Sequence, residues 1–343
     1  MSAPRPSNYL PVRPDWLALR REEALEPDLP IVDAHHHLWD RPGWRYLFDE
    51  YRADIEGSGH NVTASVYMQA QAMYREAGNA ALKVVGETEF ANGVAAMGAS
   101  GLYGPARICA GIVSHADLRL GAEVGGVLDA HMAAGGGRFR GIRHLTTWDA
   151  DQSLMNPLSA GPRGLLLDAA FREGFAELAR RDLAFDAWVF HPQIGEVADL
   201  ADAFPDTTIV LDHAGGILGI GTYADRRDDI FAGWSASMRD LARRPNVRVK
   251  LGGLGMRING FGFEAGAEPV SSQVLAETWR PYIETVIGAF GADRCMFESN
   301  FPVDKGSYAY GTVWNAFKQV TRSMPDADRA KLFSDTARAV YRL

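Results

Sequence analysis

Short apolar runs rich in β-branched residues alternate along this chain with longer segments, and this alternation limits its fold more than any other feature. Longer segments such as 166–181 and 275–290 repeat apolar residues at helical spacing. Strand–helix alternation is typical of βαβ units around a parallel sheet. The predicted strands are 31–35, 62–69, 107–113, 139–143, 184–190, 207–212, 246–252 and 294–299. Eight strands favour a single closed (β/α)8 TIM barrel of the α/β class over an open doubly wound sheet.

The length of the chain agrees with one barrel and a short extension. Its 343 residues exceed the roughly 250 that such a barrel needs, and barrels tolerate insertions. Residues 1–30 are rich in proline, which opposes regular structure. We therefore predict an extended N-terminal arm over 1–30 and a barrel over 31–343. The arm packs either on the barrel or on a second subunit, and it makes a homodimer an expectation.

Composition excludes several partners. The net charge of -8 argues against nucleic acid, which needs clustered Lys and Arg. No apolar stretch is long enough to span a membrane, and the first residues lack the apolar core of a signal peptide. Cys109 and Cys295 lie in apolar runs and are expected to be buried free thiols, as in a reducing compartment. We expect a cytoplasmic protein that binds a small molecule.

Four histidines mark a candidate site. His35 and His37 are two apart in an extended segment, so their side chains point the same way, with Asp33 one step deeper on that face. His191 and His213 end the fifth and sixth predicted strands. A lone histidine there is more often a core residue, but four at the C-terminal ends of barrel strands indicate one shared site. Imidazoles with an open position suit zinc or a similar divalent ion.

The motifs along the chain resemble those of the amidohydrolase superfamily, and most of all its lactonases acting on sugar lactones and pyrone dicarboxylate. The resemblance extends from about residue 31 to the end of the sequence and keeps strand order. It implies metal ligands at His35, His37 and His191, a His213 that binds metal or polarises a carbonyl, and one divalent metal, zinc or manganese. The segments are Val-Asp-Ala-His-His-His-Leu-Trp, Gly-Ile-Arg-His, Val-Phe-His-Pro, Leu-Asp-His-Ala-Gly, Val-Lys-Leu-Gly-Gly-Leu and Phe-Glu-Ser-Asn-Phe-Pro.

One residue departs from the family pattern. Asn300 stands where the family has an aspartate that ligates metal and activates water. A carboxamide is not a base near neutral pH and is a weak metal ligand, so a metal-free site is also open. Glu298 on the same face, Asp304 on the following loop, or a histidine could act as the base. Glu298 could also bond to a histidine, or it could equally pair with Lys250 or an arginine and do no chemistry.

Further polar residues lie near predicted strand ends and are candidate substrate contacts. Arginine can hold a carboxylate through two parallel hydrogen bonds, and a lysine inside an apolar strand is costly unless paired. Each of these residues alone is as readily explained by an internal ion pair. They are Gln69, Tyr74, Arg143, His144 and Lys250.

We expect a hydrolase acting on a lactone or related ester or amide. Histidines, with or without a metal, would polarise the carbonyl, and Arg143 or Lys250 would position the substrate. One alternative is decarboxylation of an aromatic or enoic acid, because Trp39, Trp44, Tyr46 and Trp148 on the candidate loops would suit a ring. The other is a ligand-binding barrel without catalysis, which Asn300 favours.

Overall fold

A computed structural model describes residues 9–343, and its centre is a sheet of eight parallel strands whose order follows the chain. The strands are β1 (Ile31–His36), β2 (Val62–Met68), β3 (Arg107–Ser114), β4 (Phe139–Leu145), β5 (Ala184–Trp188), β6 (Ile209–Leu211), β7 (Val247–Leu251) and β8 (Cys295–Phe297). This arrangement confirms the predicted TIM barrel.

The barrel closes beyond the last paired residue of β8. His36 forms a parallel bridge with Phe301. The backbone N–H of His37 donates to the carbonyl of Phe301 at 2.7 Å, and that of Asn300 donates to the carbonyl of His35 at 2.9 Å. Closure therefore brings Asn300 beside His35 and His37.

Eight helices follow the strands. The second predicted helix begins three residues early, at Ser272, because the Ser271 hydroxyl caps it by accepting from the Val274 N–H at 3.3 Å. The helices are α1 (Phe48–Ser58), α2 (Val85–Ala99), α3 (Val124–Ala134), α4 (Ala169–Ala179), α5 (Ile194–Ala203), α6 (Arg227–Leu241), α7 (Ser272–Phe290) and α8 (Tyr310–Thr321). Shorter elements are the helices Pro14–Leu17, His213–Gly216, Asp326–Ala330 and Thr336–Tyr341, and a hairpin of Trp39–Arg41 and Trp44–Tyr46 between β1 and α1.

Strands β5 to β8 are shorter than predicted. Val189 and Phe190 are buried but lie beyond the paired part of β5. An apolar run indicates which residues are buried, whereas a strand is defined by its hydrogen bonds to a neighbouring strand. The apolar run is therefore longer than the strand.

Small and aliphatic side chains fill the lower part of the barrel, and Tyr341 of the last helix packs among them. Its hydroxyl donates to Asp186 Oδ1 at 2.6 Å. The C-terminal helix therefore closes the end of the barrel opposite to the strand C-termini.

The N-terminal arm packs on the barrel that follows it. Residues 9–30 contain the short helix Pro14–Leu17 and no strand. Arg13, Trp16 and Arg20 donate to backbone carbonyls of the loop between β7 and α7. Residues 1–8 of the predicted arm lie outside the described residues, and packing on a second subunit stays a prediction. Within residues 9–343, no helix is both long and apolar enough to cross a membrane.

Candidate active site

A cavity opens at the C-terminal ends of the strands. It combines an aromatic wall with amide, hydroxyl, imidazole and guanidinium groups, as ligand pockets commonly do. Of the aromatic residues predicted for the site, Trp39 lines this cavity, whereas Trp44, Tyr46 and Trp148 do not. The polar and aromatic residues that line the cavity are Tyr9, His37, Trp39, Arg41, Gln69, Arg143, Asn156, Ser159, Trp188, Phe190, His213, Arg257 and Asn300.

His35 and His37 meet at the floor of the cavity. Their Nε2 atoms are 3.1 Å apart, and His37 Nδ1 lies 2.9 Å from the Met68 carbonyl, to which it donates. Burial is the main cause that holds the pKa of each imidazole well below its usual range. The nearby charge of Lys250 adds to this effect at His35, and that of Arg143 adds to it at His37. Both rings are therefore neutral, and the lone pair of His37 Nε2 faces His35.

Asp33 does not share the face of these histidines, so that prediction was wrong. Its carboxylate accepts hydrogen bonds from Tyr51 at 2.8 Å and Tyr310 at 3.0 Å, on helices α1 and α8. The pairing of β1 with β2 shifts register between Asp33 and His36. This bulge breaks strict alternation, which places Asp33 on the outer side of the barrel.

Glu298 joins two histidines. One carboxylate oxygen lies 2.7 Å from His213 Nδ1 and the other 2.9 Å from His35 Nδ1. Burial alone would raise the pKa of Glu298, but His213 and His35 lower it to about 2. The ionised carboxylate fixes the proton of His213 on Nδ1, which leaves Nε2 as the nitrogen with a free lone pair. Glu298 thus pairs with histidines and not with Lys250.

Backbone geometry places His213 in the cavity wall. The residue has φ 56° directly after β6. Gly253, just beyond β7, faces the ring so closely that a Cβ there would lie 2.4 Å from His213 Nδ1. Only glycine leaves room for this imidazole.

Asn300 and Asp304 form a buried pair. The Asn300 amide donates to Asp304 Oδ1 at 2.8 Å, and Asp304 Oδ2 accepts from Tyr308 at 2.6 Å and from the Gly255 N–H at 3.0 Å. Burial raises the pKa of Asp304 to about 6. Asn300 lines the cavity but Asp304 does not. Asp304 therefore positions the Asn300 amide from behind.

Lys250 lies beneath the cavity and does not line it. Its Nζ is 2.6 Å from Asp186, 3.2 Å from Asp212 and 3.4 Å from His35 Nδ1, all fully buried. Burial would lower its pKa, but Asp186 and Asp212 raise it. The predicted substrate contact is instead an internal ion pair. Sequence reasoning missed Asp186 and Asp212, although each is a charge in an apolar strand run, which was the available signal.

Arg143 and Gln69 do reach the cavity, as predicted. Arg143 donates to the side-chain and backbone oxygens of Gln69, and its Nη1 lies 3.3 Å from His35 Nε2 and 3.7 Å from Asp212. The guanidinium is thus held at the cavity floor beside the histidine cluster.

Three predicted residues are not brought to this site. His144 points outward to Phe171 and Asp117 because its strand neighbour Arg143 points inward. His191 lies in the turn after β5, where its Nδ1 accepts from the Leu218 N–H at 3.2 Å. Tyr74 is half-buried beside the cavity without lining it.

The donor set fits a divalent metal. His35, His213 and Glu298 each offer a ligand atom, and these atoms lie within 4.8 Å of one another. Imidazole nitrogen and carboxylate oxygen are ordinary zinc ligands. The cluster differs from the predicted set of His35, His37 and His191, because His213 and Glu298 take the place of His37 and His191.

Comparison with known proteins agrees with the fold and identifies the family. A family model described as amidohydrolase matches residues 32–343. The chain is 33% identical to uncharacterized protein y4mH of Sinorhizobium fredii, over 92% of this chain and 99% of that protein. It is 28% identical to an L-fucono-1,5-lactonase of Burkholderia multivorans, over 91% and 96% respectively. A solved amidohydrolase from Burkholderia multivorans with bound zinc superposes with a TM-score of 0.70 at 27% identity, covering 91% and 99%. The chain belongs to the amidohydrolase family and is a hydrolytic enzyme.

Proposed function

We propose that this enzyme hydrolyses the lactone of a sugar acid. The observation that carries the proposal is the hydrogen bond between His213 Nδ1 and the ionised Glu298, 2.7 Å long. Of these two residues, His213 lines the cavity. The named function of the L-fucono-1,5-lactonase relative supports the same substrate class.

His213 serves as the general base. Its Nε2 removes a proton from water, and the resulting hydroxide attacks the lactone carbonyl, while Glu298 stabilises the imidazolium that forms. The guanidinium of Arg143 stabilises the negative charge that develops on the carbonyl oxygen. The ring C–O bond then breaks, and His213 returns its proton to the leaving alkoxide. Water and lactone thus yield one hydroxy acid.

The walls of the cavity suit a sugar ring. Trp188 and Phe190 offer apolar surface to a ring face, and Asn156 and Ser159 offer polar groups to its hydroxyls. A sugar lactone presents both kinds of surface, whereas an aromatic acid would leave the polar groups unpaired.

Zinc is the metal that we propose for the cluster. An ion held by His35, His213 and Glu298 would replace the hydrogen bonds between them and would occupy the lone pair with which His213 acts as base. It would supply Lewis-acid polarisation of the carbonyl instead, so the general-base route through His213 is the route of the metal-free site. Elemental analysis of purified protein should find about one zinc per chain, and chelation followed by zinc return should remove and restore thermal stabilisation. Protein free of metal, with an unfolding temperature that added zinc or manganese leaves unchanged, would show that the site works without metal.

The test is a panel of aldonolactones, assayed by acid release. The wild type should open at least one of them. Glu298→Gln should lower kcat by about 10²–10⁴-fold, because a neutral amide stabilises the imidazolium poorly, and His213→Asn should lower it at least as far. His144→Asn is the matched control, since His144 is buried outside the cavity, and it should retain activity.

Two outcomes would contradict the proposal. Release of carbon dioxide from hydroxybenzoates without lactone opening would assign a decarboxylase. A wild type that turns over neither class while binding sugar acids would assign a ligand-binding barrel.

A further inference from the structure

We infer that the substrate carries a carboxylate at the end remote from its reacting carbonyl, and that Arg41 recognises this carboxylate. The inference rests on the proposed lactone hydrolysis and narrows its substrate class from sugar lactones in general to anionic ones.

The charge of the cavity wall is one-sided. Among the described residues that line it, three are arginines, namely Arg41, Arg143 and Arg257, and none is an aspartate or glutamate. The protein as a whole has a net charge of -8, so the charge of this wall is opposite in sign to the net charge of the molecule. A cleft lined by one sign of charge attracts a ligand of the opposite sign.

Arg41 is the one of the three that has a buried guanidinium nitrogen without a hydrogen-bond partner, whereas Arg257 is exposed to solvent. Within residues 9–343 no carboxylate lies within 4.0 Å of its guanidinium, whereas Arg143 has Asp212 at 3.7 Å. Nη2 donates to the Ala70 carbonyl at 2.6 Å, but Nη1 is buried and has no hydrogen-bond partner among these residues. A buried donor without a partner is costly, and a carboxylate would satisfy it through a charge-assisted hydrogen bond.

The guanidinium is also held in place. It lies over the Trp39 ring at 4.1 Å and near the Tyr9 ring at 5.8 Å. These aromatic contacts and the bond to Ala70 orient the arginine before a ligand arrives, which lowers the entropy cost of binding.

The order of stacked side chains above the cavity floor sets where the carboxylate must be. Trp39 stacks on His37, whose ring lies at the cavity floor, and Arg41 lies on Trp39. A ligand that places its carbonyl near His213 and its anion at Arg41 must span the cavity. An aldarolactone, with a carboxylate on the terminal carbon, has this form, and an aldonolactone has an uncharged hydroxymethyl group there.

The experiment compares aldonolactones with their aldarolactones in gluco, galacto and manno pairs. The wild type should prefer the anionic member by about tenfold in kcat/KM, the worth of one charge-assisted hydrogen bond. Arg41→Gln should remove most of this preference, and Arg41→Lys should keep part of it. Arg45→Gln is the matched control, because Arg45 lies on the same hairpin, pairs with Glu50 and does not line the cavity.

A second measurement needs no turnover. Binding of the open aldarates and aldonates, followed by tryptophan fluorescence, should show tighter aldarate binding that Arg41→Gln weakens. Equal affinity for both acids in the wild type, or equal loss for both in Arg41→Gln, would overturn the inference while leaving lactone hydrolysis intact. Arg41-dependent aldarate binding without opening of any lactone would overturn the proposed hydrolysis and support the anion site.

Discussion

Asn300 shows how one side chain can keep its place in a family motif while its neighbours change its role. Its amide donates to Asp304, and Asp304 receives further hydrogen bonds from Tyr308 and the Gly255 N–H. An aspartate at position 300 would set two carboxylates against each other in a buried place. The asparagine is therefore matched to Asp304, and we propose His213 as the base.

We predict that Asn300→Asp destabilises the protein more at pH 8 than at pH 5. Two facing carboxylates share one proton at low pH and repel each other when both are ionised. The free energy of unfolding should fall by about 1–3 kcal/mol relative to wild type at pH 8, and by less at pH 5. Urea unfolding at both pH values measures this. The exchanged pair Asn300→Asp/Asp304→Asn restores a donor and an acceptor and should recover stability, and failure to do so would refute the pairing.

Single residues were predictable where strand ends decide their position. His35, His37 and His213 could be placed in one site because all follow apolar runs in a parallel barrel. A histidine was one of the partners expected for Glu298, but sequence spacing could not tell which one, since the folded barrel brings both His35 and His213 to this carboxylate. The outward position of His144 could have been predicted. Adjacent residues of a strand point to opposite faces, so His144 and Arg143 cannot both point into the barrel.

At the scale of elements, the loop after β2 is tied to helix α2 by one buried carboxylate. Glu87 Oε1 accepts from the backbone N–H groups of Ala70 at 2.6 Å and Ala72 at 3.2 Å, and from Tyr67 at 2.9 Å. Gln69, which holds Arg143, immediately precedes this loop. Burial raises the pKa of Glu87 to about 7.

This shift predicts a pH dependence of stability. The folded state holds the Glu87 proton up to pH about 7, whereas the unfolded chain releases it near 4.5. Folding therefore retains a proton, so this group contributes less stability as pH rises between these values, by up to about 3 kcal/mol. Glu87→Gln should gain stability relative to wild type between pH 4.5 and 8, as urea unfolding would show. A difference between the two proteins that is the same at both pH values would mean that Glu87 does not titrate in this window.

Element types were predictable from periodicity, but their ends were not. The eight strands and the helices over 169–179 and 272–290 follow apolar spacing. The hairpin of Trp39–Arg41 and Trp44–Tyr46 lies where the sequence predicts a loop, because segments of three residues are too short to show an alternation of apolar and polar residues. The hairpin carries Arg41, so the sequence did not predict this residue of the proposed anion site for the same reason.

At the scale of the whole molecule, a layer of buried charge separates the cavity from the apolar lower barrel. Lys250 lies in its centre between Asp186 and Asp212, with Glu298 and His35 above and Tyr341 below. The charged residues of this layer and His35 come from β1, β5 and β7 and from the residues that follow β6 and β8, and together they support the floor of the cavity.

We predict that Lys250→Met lowers the free energy of unfolding by about 3–5 kcal/mol, since it leaves two buried carboxylates without their cation. Lys331→Met is the matched control, because Lys331 pairs with Asp328 on the surface, and it should change stability by less than about 0.5 kcal/mol. Chemical unfolding measures both. A small effect of Lys250→Met would mean that Asp186 and Asp212 are protonated in the folded protein.

Gly253 sets a boundary for anyone who wishes to redesign this enzyme. Because a Cβ at this position would occupy the space of the His213 ring, every single substitution there should be lost from a library selected for activity. Positions on the cavity wall such as Asn156 and Ser159 carry no such restriction and are where new substrate preferences can be selected. The route to altered specificity therefore runs through the wall and leaves the glycine beneath the histidine untouched.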